Sequence, residues 1–189
     1  MDNIVLSERV SRALLQKKPV LALESSILSQ GMPYPESFAF AKKAENLCDK
    51  SKVTPATIAI LNGVIHVGLN KEQLKFICKE TSIKKVSRRE IGTAIAKKWS
   101  CSTTVSSTLH IAHACGIKVF STGGIGGVHR NPSSSFDISQ DIKSLSETPL
   151  VVITAGPKAI LDINKTVEQL ETSGITSLGY KTNEYPSFY

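Results

Sequence analysis

Four stretches of this sequence carry residue types that could do chemistry on a phosphorylated small molecule. Glu24 ends the apolar run Pro19-Val20-Leu21-Ala22-Leu23, and Lys158 follows Gly156-Pro157 behind a second apolar run at 150–153. Asp137 and Asp141 stand four residues apart, and His129-Arg130 closes a segment with four glycines in five residues, Gly123-Gly124-Ile125-Gly126-Gly127. A lysine at a helix start loses proton affinity, because the helix dipole and burial both disfavour a cation, and its free amine can then attack a carbonyl. The alternatives for Lys158 are a phosphate ligand and a solvated surface lysine. Glu24 could act as a general acid, or as a cap or ion-pair partner. Asp137 and Asp141, without a third ligand in the pattern, suit a hard cation held largely by water, as magnesium and manganese are. In the other reading Asp141 stabilises a helix N-terminus. His129 and Arg130 could grip a phosphate, or the histidine could be structural. No G-x-S-x-G, H-E-x-x-H or Walker pattern is present.

Such groups need elements whose ends converge. Residues 4–16 have helical apolar spacing and stop at Lys17-Lys18-Pro19; residues 19–23 read as a buried strand, with Glu24-Ser25-Ser26 at the carboxyl end, where open α/β sheets bind ligands. Gly31, Pro33 and Pro35 mark a loop before an amphipathic helix over 36–49, and Asn62-Gly63 joins strands 57–61 and 64–67 as a type I′ hairpin. Further along, the spacing predicts a helix over 72–80, a strand at 84–86, a Ser87-capped helix over 88–99 and a hydroxyl-rich helix over 103–115 closed by Gly116. The strand at 118–121 runs into the glycines, which are expected to take positive φ and admit a ligand, or else to form a mobile surface loop. The polar run Ser133-Ser134-Ser135-Phe136-Asp137 follows. Ser139 then caps a helix reaching residue 145, the strand 150–153 follows, Pro157 opens a helix carrying Lys158 in its first turn, and a helix over 162–172 leads to a last strand at 175–178. Strand and helix alternate without linker or repeat. The expected fold is a three-layer α/β/α sandwich with a mixed, mostly parallel sheet, one domain over residues 1–189.

Composition narrows the partners. With 41% hydrophobic and 21% charged residues the chain can bury a core, and no run of about 18 apolar residues occurs to span a membrane. No secretory or transit leader is visible at the N-terminus, so the expected location is cytoplasmic. The formal charge of +7 comes as scattered doublets such as Lys42-Lys43 and Arg88-Arg89, and aromatics make up 6%, so a small phosphorylated ligand fits better than a nucleic-acid polymer. Cys48, Cys78, Cys101 and Cys115 form no C-x-x-C pair, which gives neither a zinc site nor a disulfide framework.

At Ala22-Leu23-Glu24-Ser25-Ser26-Ile27-Leu28-Ser29-Gln30-Gly31-Met32-Pro33-Tyr34-Pro35 the sequence resembles the pseudouridine-5′-phosphate glycosidase family, also called pseudouridylate synthase or indigoidine-synthase-A-like. The resemblance continues in order through 53–63, Lys85-Val86-Ser87-Arg88-Arg89, Thr103-Thr104-Val105, 122–130, 136–141, Ala155-Gly156-Pro157-Lys158 to residue 163, and 179–189. It implies reversible cleavage of the C–C glycosidic bond of pseudouridine 5′-phosphate to uracil and ribose 5-phosphate, in nucleotide catabolism, with Mn2+ or another divalent cation such as Mg2+. It implies Lys158 as the nucleophile forming a Schiff base with C1′, Glu24 as proton donor, and Asp137 as metal ligand. It also implies substrate contacts at Lys85, Val105, Ser139, Gln140 and Asp141, with Thr122 and His129 at the phosphate, and a homotrimer. Gln30 stands where the family usually has histidine, Asn62 and Asn183 where it has aspartate, Cys101-Ser102 where it has a glycine pair, and Pro157 where it has a small residue. Family members continue well beyond the Glu184-Tyr185-Pro186-Ser187-Phe188-Tyr189 motif, so the chain is expected to lack the family's C-terminal region. Two other functions are therefore carried: a catalytically impaired homologue that binds sugar phosphate or a full-length partner, and a different Schiff-base lyase acting on a sugar phosphate.

Overall fold

In the computed structural model, residues 3–130 and 136–188 are described, and among them eight strands join in one sheet. Ser133, Ser134, Ser135 and Tyr189, named above, lie outside the described residues. The main path runs β1 (Ile4–Leu6), β4 (Val64–Val67), β3 (Thr54–Leu61), β2 (Val20–Leu23), β7 (Val119–Ser121) and β8 (Val151–Ile153). A branch leaves β3 through β6 (Cys101–Thr103) to β5 (Lys84–Val86). Only β3 with β4 and β3 with β6 pair antiparallel; the other described pairs are parallel, giving the mixed, mostly parallel sheet that the alternation predicts.

β3 is apolar nearly throughout because it is covered on both faces. Ile58 and Ile60 join the larger core, with Val10 of α1 (Glu8–Leu15), Leu109 of α5 (Val105–Ala114) and Phe120 of β7. Ala59 faces a second cluster, with Ala41 of α2 (Glu36–Lys50) and Leu74 and Ile77 of α3 (Lys71–Lys79). Asn62 and Gly63, at φ 50° and 78°, make the primed turn that the Asn-Gly pair demands.

Several local readings change. Residues 4–16 are not one helix: Ile4–Leu6 pair parallel with Ile65–Val67, and α1 begins only after Ser7, whose hydroxyl accepts from the Val10 N–H at 3.3 Å. Three apolar residues in a row satisfy a strand and a helix turn alike, and the open edge of β4 decides between them. Thr103, the expected first residue of the 103–115 helix, instead ends β6 (Cys101–Thr103), and 88–99 divides into a 3₁₀ turn at Arg88–Glu90 and α4 (Ile91–Ala96). The strand expected at 175–178 is absent from these described residues, and no helix follows Pro157; the next helix, α7 (Ile163–Thr172), is capped by the Asp162 carboxylate receiving the Lys165 N–H. No described helix is long and apolar enough to cross a membrane.

The pairing of β3 creates the feature that positions the site. One edge of β3 takes β2 along its first half, with Leu23 opposite Thr57, and β6 along its second, with Ser102 opposite Ala59. β2 runs with β3 and β6 runs against it, so their carboxyl ends meet head to head beside Ile58. Hydroxyls close the junction: Ser25 and Thr103 both donate to the Ile58 carbonyl, at 2.6 and 2.8 Å, and the Thr103 N–H donates to Ser25 Oγ at 3.0 Å. The loops that leave these two strand ends are thereby brought to one place.

Candidate functional site

Glu24 leaves the carboxyl end of β2 directly above this junction. The hydroxyls of Ser26 and Thr122 donate to its two carboxylate oxygens, one to each. Burial raises its pKa from the ordinary carboxylate value; the two hydroxyl donors and Lys158 pull it back, while Asp141 adds to the rise. Glu24 is therefore a half-buried acid that feels Asp141 and Lys158, a setting in which a carboxyl group can serve as a general acid.

Asp141 is buried in the first turn of α6 (Gln140–Glu147), which Ser139 caps. Its Oδ1 accepts from the Ser106 N–H at 3.0 Å and its Oδ2 from the Gly126 N–H at 2.9 Å. One carboxylate thus ties the glycine loop to the first turn of α5, each charge-assisted bond contributing roughly 1.5–3 kcal/mol. Gln140 reaches the other way, its Oε1 accepting from the Arg89 N–H at 3.2 Å. Val105, buried, is the first residue of α5.

The glycine loop is neither mobile surface nor a run of left-handed turns. Gly124, Gly126 and Gly127 are buried, and none of the four glycines has positive φ. What excludes side chains is close packing: a Cβ on Gly126 would stand 2.1 Å from Ser139 Oγ. The loop hydrogen-bonds to the chain after β8, with the Ala155 N–H donating to the Gly123 carbonyl at 2.9 Å and the Lys158 N–H to the Ile125 carbonyl at 3.1 Å.

Lys158 sits outside any helix, so the dipole expected to act on its amine is not there. Bridge pairing of Pro157 with Ile125 and of Lys158 with Phe188 holds this stretch extended. The side chain is exposed and forms no ion pair among the described residues. Because β2, β7 and β8 are mutually parallel, Glu24, Thr122 and Lys158 all lie beyond the carboxyl ends of these strands, at one end of the sheet.

The other sequence candidates lie farther out. Asp137 and His129 face one another, with His129 Nδ1 3.7 Å from Asp137 Oδ2 and the His129 N–H donating to the Asp137 carbonyl at 2.9 Å. No hydrogen bond joins either to Glu24 or Asp141 among the described residues. Lys85 is exposed on β5, in register with Ser102. No group of three or more His, Cys, Asp or Glu that could hold a metal occurs among the described residues. Asp137 with His129 offers at most two ligands, which fits a manganese or magnesium ion retaining most of its water.

Sequence reasoning missed the hydroxyl floor. Ser25, Ser102, Thr103, Ser106, Ser107 and Thr108 are all fully buried. Ser107 donates to the Val86 carbonyl at 2.8 Å, and Thr108 to Thr103 Oγ1 at 3.0 Å. The signal was the density of small hydroxyl residues at 102–108, which solvent exposure would not need. The four cysteines are free thiols, and burial pushes Cys101 up to about 11.

Comparison with known proteins bears on this site. A pseudouridine-5′-phosphate glycosidase of Petrotoga mobilis is 48% identical over 184 residues, covering 97% of this chain and 60% of that protein. That of Brachyspira hyodysenteriae is 51% identical over 184 residues, again 97% of this chain and 60% of its own. Among solved structures, the prealnumycin C-glycosynthase AlnA in complex with ribulose 5-phosphate superposes with a TM-score of 0.92 at 37% identity, covering all of this chain and 61% of that one. An indigoidine synthase A-like protein of Thermotoga maritima gives 0.89 at 33% identity, with 98% and 61% covered. The chain thus spans about three fifths of the length of the curated relatives it matches. The model of the indigoidine synthase A-like proteins matches residues 9–189, and with these relatives it establishes that the chain belongs to that family.

Proposed function

We propose that the chain carries the reacting groups of a pseudouridine-5′-phosphate glycosidase, which cleaves the C–C glycosidic bond to give uracil and ribose 5-phosphate through a Schiff base on Lys158. The observation that carries the reading is the placement of Glu24 and Lys158 beyond the carboxyl ends of parallel strands, the first an acid whose pKa burial raises and the second an exposed amine. The names of the relatives support the substrate, and the AlnA complex supports a sugar-phosphate ligand.

A C–C glycosidic bond has no leaving oxygen to protonate, so the paired-carboxylate scheme of ordinary glycosidases does not serve. In the proposed course the Lys158 amine attacks C1′ and the ring oxygen departs, opening the ribose. Glu24 then gives a proton to the uracil carbon bearing the sugar. The C–C bond breaks as the lysine nitrogen's lone pair forms the iminium at C1′, and its electron pair returns to the pyrimidine ring. Water hydrolyses the iminium and releases ribose 5-phosphate and the amine. Thr122 and Ser26 hold Glu24 for this transfer. Asp141 sets the glycine loop, with Lys85, Val105, Ser139 and Gln140 proposed to contact substrate and His129 to face the phosphate. Asp137, with His129, would hold the divalent cation, which when bound offsets negative charge on the ligand.

The enzyme reading predicts that ribose 5-phosphate, uracil and Mn2+ yield pseudouridine 5′-phosphate, and that borohydride with ribose 5-phosphate traps an adduct on Lys158. Lys158→Arg should lose the chemistry, since guanidinium stays protonated. Partial activity in that variant, with weaker binding as the main defect, would point instead to a phosphate-gripping lysine. Trapping on Lys85 with Lys158→Ala active would overturn the assignment.

A further inference from the structure

The backbone of Phe188 brackets Lys158. Its N–H donates to the Pro157 carbonyl at 2.7 Å and its carbonyl accepts from the Ala159 N–H at 2.6 Å, one bond on each side of the lysine. From the opposite side the Lys158 N–H donates to the Ile125 carbonyl at 3.1 Å, so the lysine backbone lies between the glycine loop and Phe188.

The surroundings are shaped to this segment. The Phe188 ring lies on the glycines: a Cβ on Gly123 would stand 2.8 Å from its Cε2 and one on Gly124 2.5 Å from its Cδ1. Gly156, at φ +96°, would carry a Cβ 2.1 Å from the Pro186 carbonyl oxygen. Three glycines from two loops thus leave room for residues 186–188. Because the Lys158 side chain is exposed and unpaired among the described residues, the placement of its backbone sets where the amine starts.

We infer that Phe188 is a positioning residue for Lys158: its ring seats on Gly123 and Gly124, and its backbone, held there, fixes residues 157–159 and aims the amine. The inference rests on Lys158 being the nucleophile. A displacement of about 1 Å at a reacting group costs up to about 10²-fold in rate, so the seat of an aromatic ring outside the chemistry can matter.

The test compares Phe188→Ala and Phe188→Tyr with the unaltered chain. Phe188→Ala should lower kcat and the rate of borohydride trapping with ribose 5-phosphate by roughly 10²-fold, with KM within about threefold. Phe188→Tyr, which keeps the ring, should restore both. Hydrogen exchange gives a readout apart from activity: the Ala159 amide should be protected in the unaltered chain and in Phe188→Tyr, and lose protection in Phe188→Ala. Unchanged kcat in Phe188→Ala, unchanged protection of Ala159, or a loss shared equally by the amides of the β2–β3 core would each overturn the inference. If the unaltered chain is not trapped on Lys158, the enzyme reading fails first, while exchange at Ala159 still shows whether Phe188 holds that backbone.

Discussion

The floor and the rim of this site are built on different terms. Below, Glu24 has a hydroxyl donor on each oxygen, Asp141 has a backbone amide on each oxygen, and the Ile58 carbonyl takes two hydroxyls. Above, Lys158, Lys85, Asp137 and His129 are partly or fully exposed, and one loose His–Asp contact is their only ion pair among the described residues. The division follows from the cost of burial. A buried polar atom without a partner costs about 1–3 kcal/mol, so floor groups are held in one geometry. Rim groups keep water as an alternative partner and stay free to meet a ligand. On the proposed reading the floor sets the proton's position, and the rim makes and breaks contacts with substrate.

Four substitutions test that division. The largest functional effect is expected at the rim: Lys158→Ala should abolish turnover and borohydride trapping while shifting stability by no more than about 0.5 kcal/mol, as an exposed side chain should. Loss of folding in a thermal melt would break the comparison. Glu24→Gln should cost roughly 10²–10⁴-fold in turnover. It should also reveal the sign of the burial effect. Since the folded state raises the Glu24 pKa, the wild type has its full Glu24 contribution to stability below the ordinary carboxylate pKa and loses it as pH rises through the raised value. Melting curves should therefore favour Glu24→Gln increasingly as pH rises above the ordinary carboxylate value, and a difference constant with pH would contradict a raised pKa. Asp141→Ala strands the amides of Gly126 and Ser106, and chemical denaturation should show a loss of roughly 3 kcal/mol. The smallest effect is expected for Thr122→Val, about 1 kcal/mol in stability. That change removes a donor favouring the ionised carboxylate, so the Glu24 pKa should rise further and the pH profile of turnover should move up. A downward move would show that Thr122 does not hold the acid.

Where the sequence and the structure part company, the cause is pairing between distant segments. Asn62-Gly63, the Ser139 cap and the helix from Asp162 are decided within a few residues, and each stands where local chemistry puts it. Ile4–Leu6, Thr103 and Pro157–Lys158 read locally as helix, but each takes its conformation from a partner far away in the chain: β4, β5 beside β6, and Ile125 with Phe188. The glycines at 123–127 are required by close packing and not by the positive φ expected of them. They make room for Ser139 and Phe188.

Residue type and short-range spacing alone determined the α/β alternation, the hairpin, the helix caps and the short set of acids and amines able to do chemistry, because those depend on the intrinsic properties of a few consecutive residues. The tertiary structure alone decided that β2 and β6 meet end to end on β3, and that Asp141 spends both oxygens on backbone amides. It also decided that burial raises the Glu24 pKa while Lys158 stands in water. Those are properties of desolvation and of partners brought together across the chain, which no local pattern encodes.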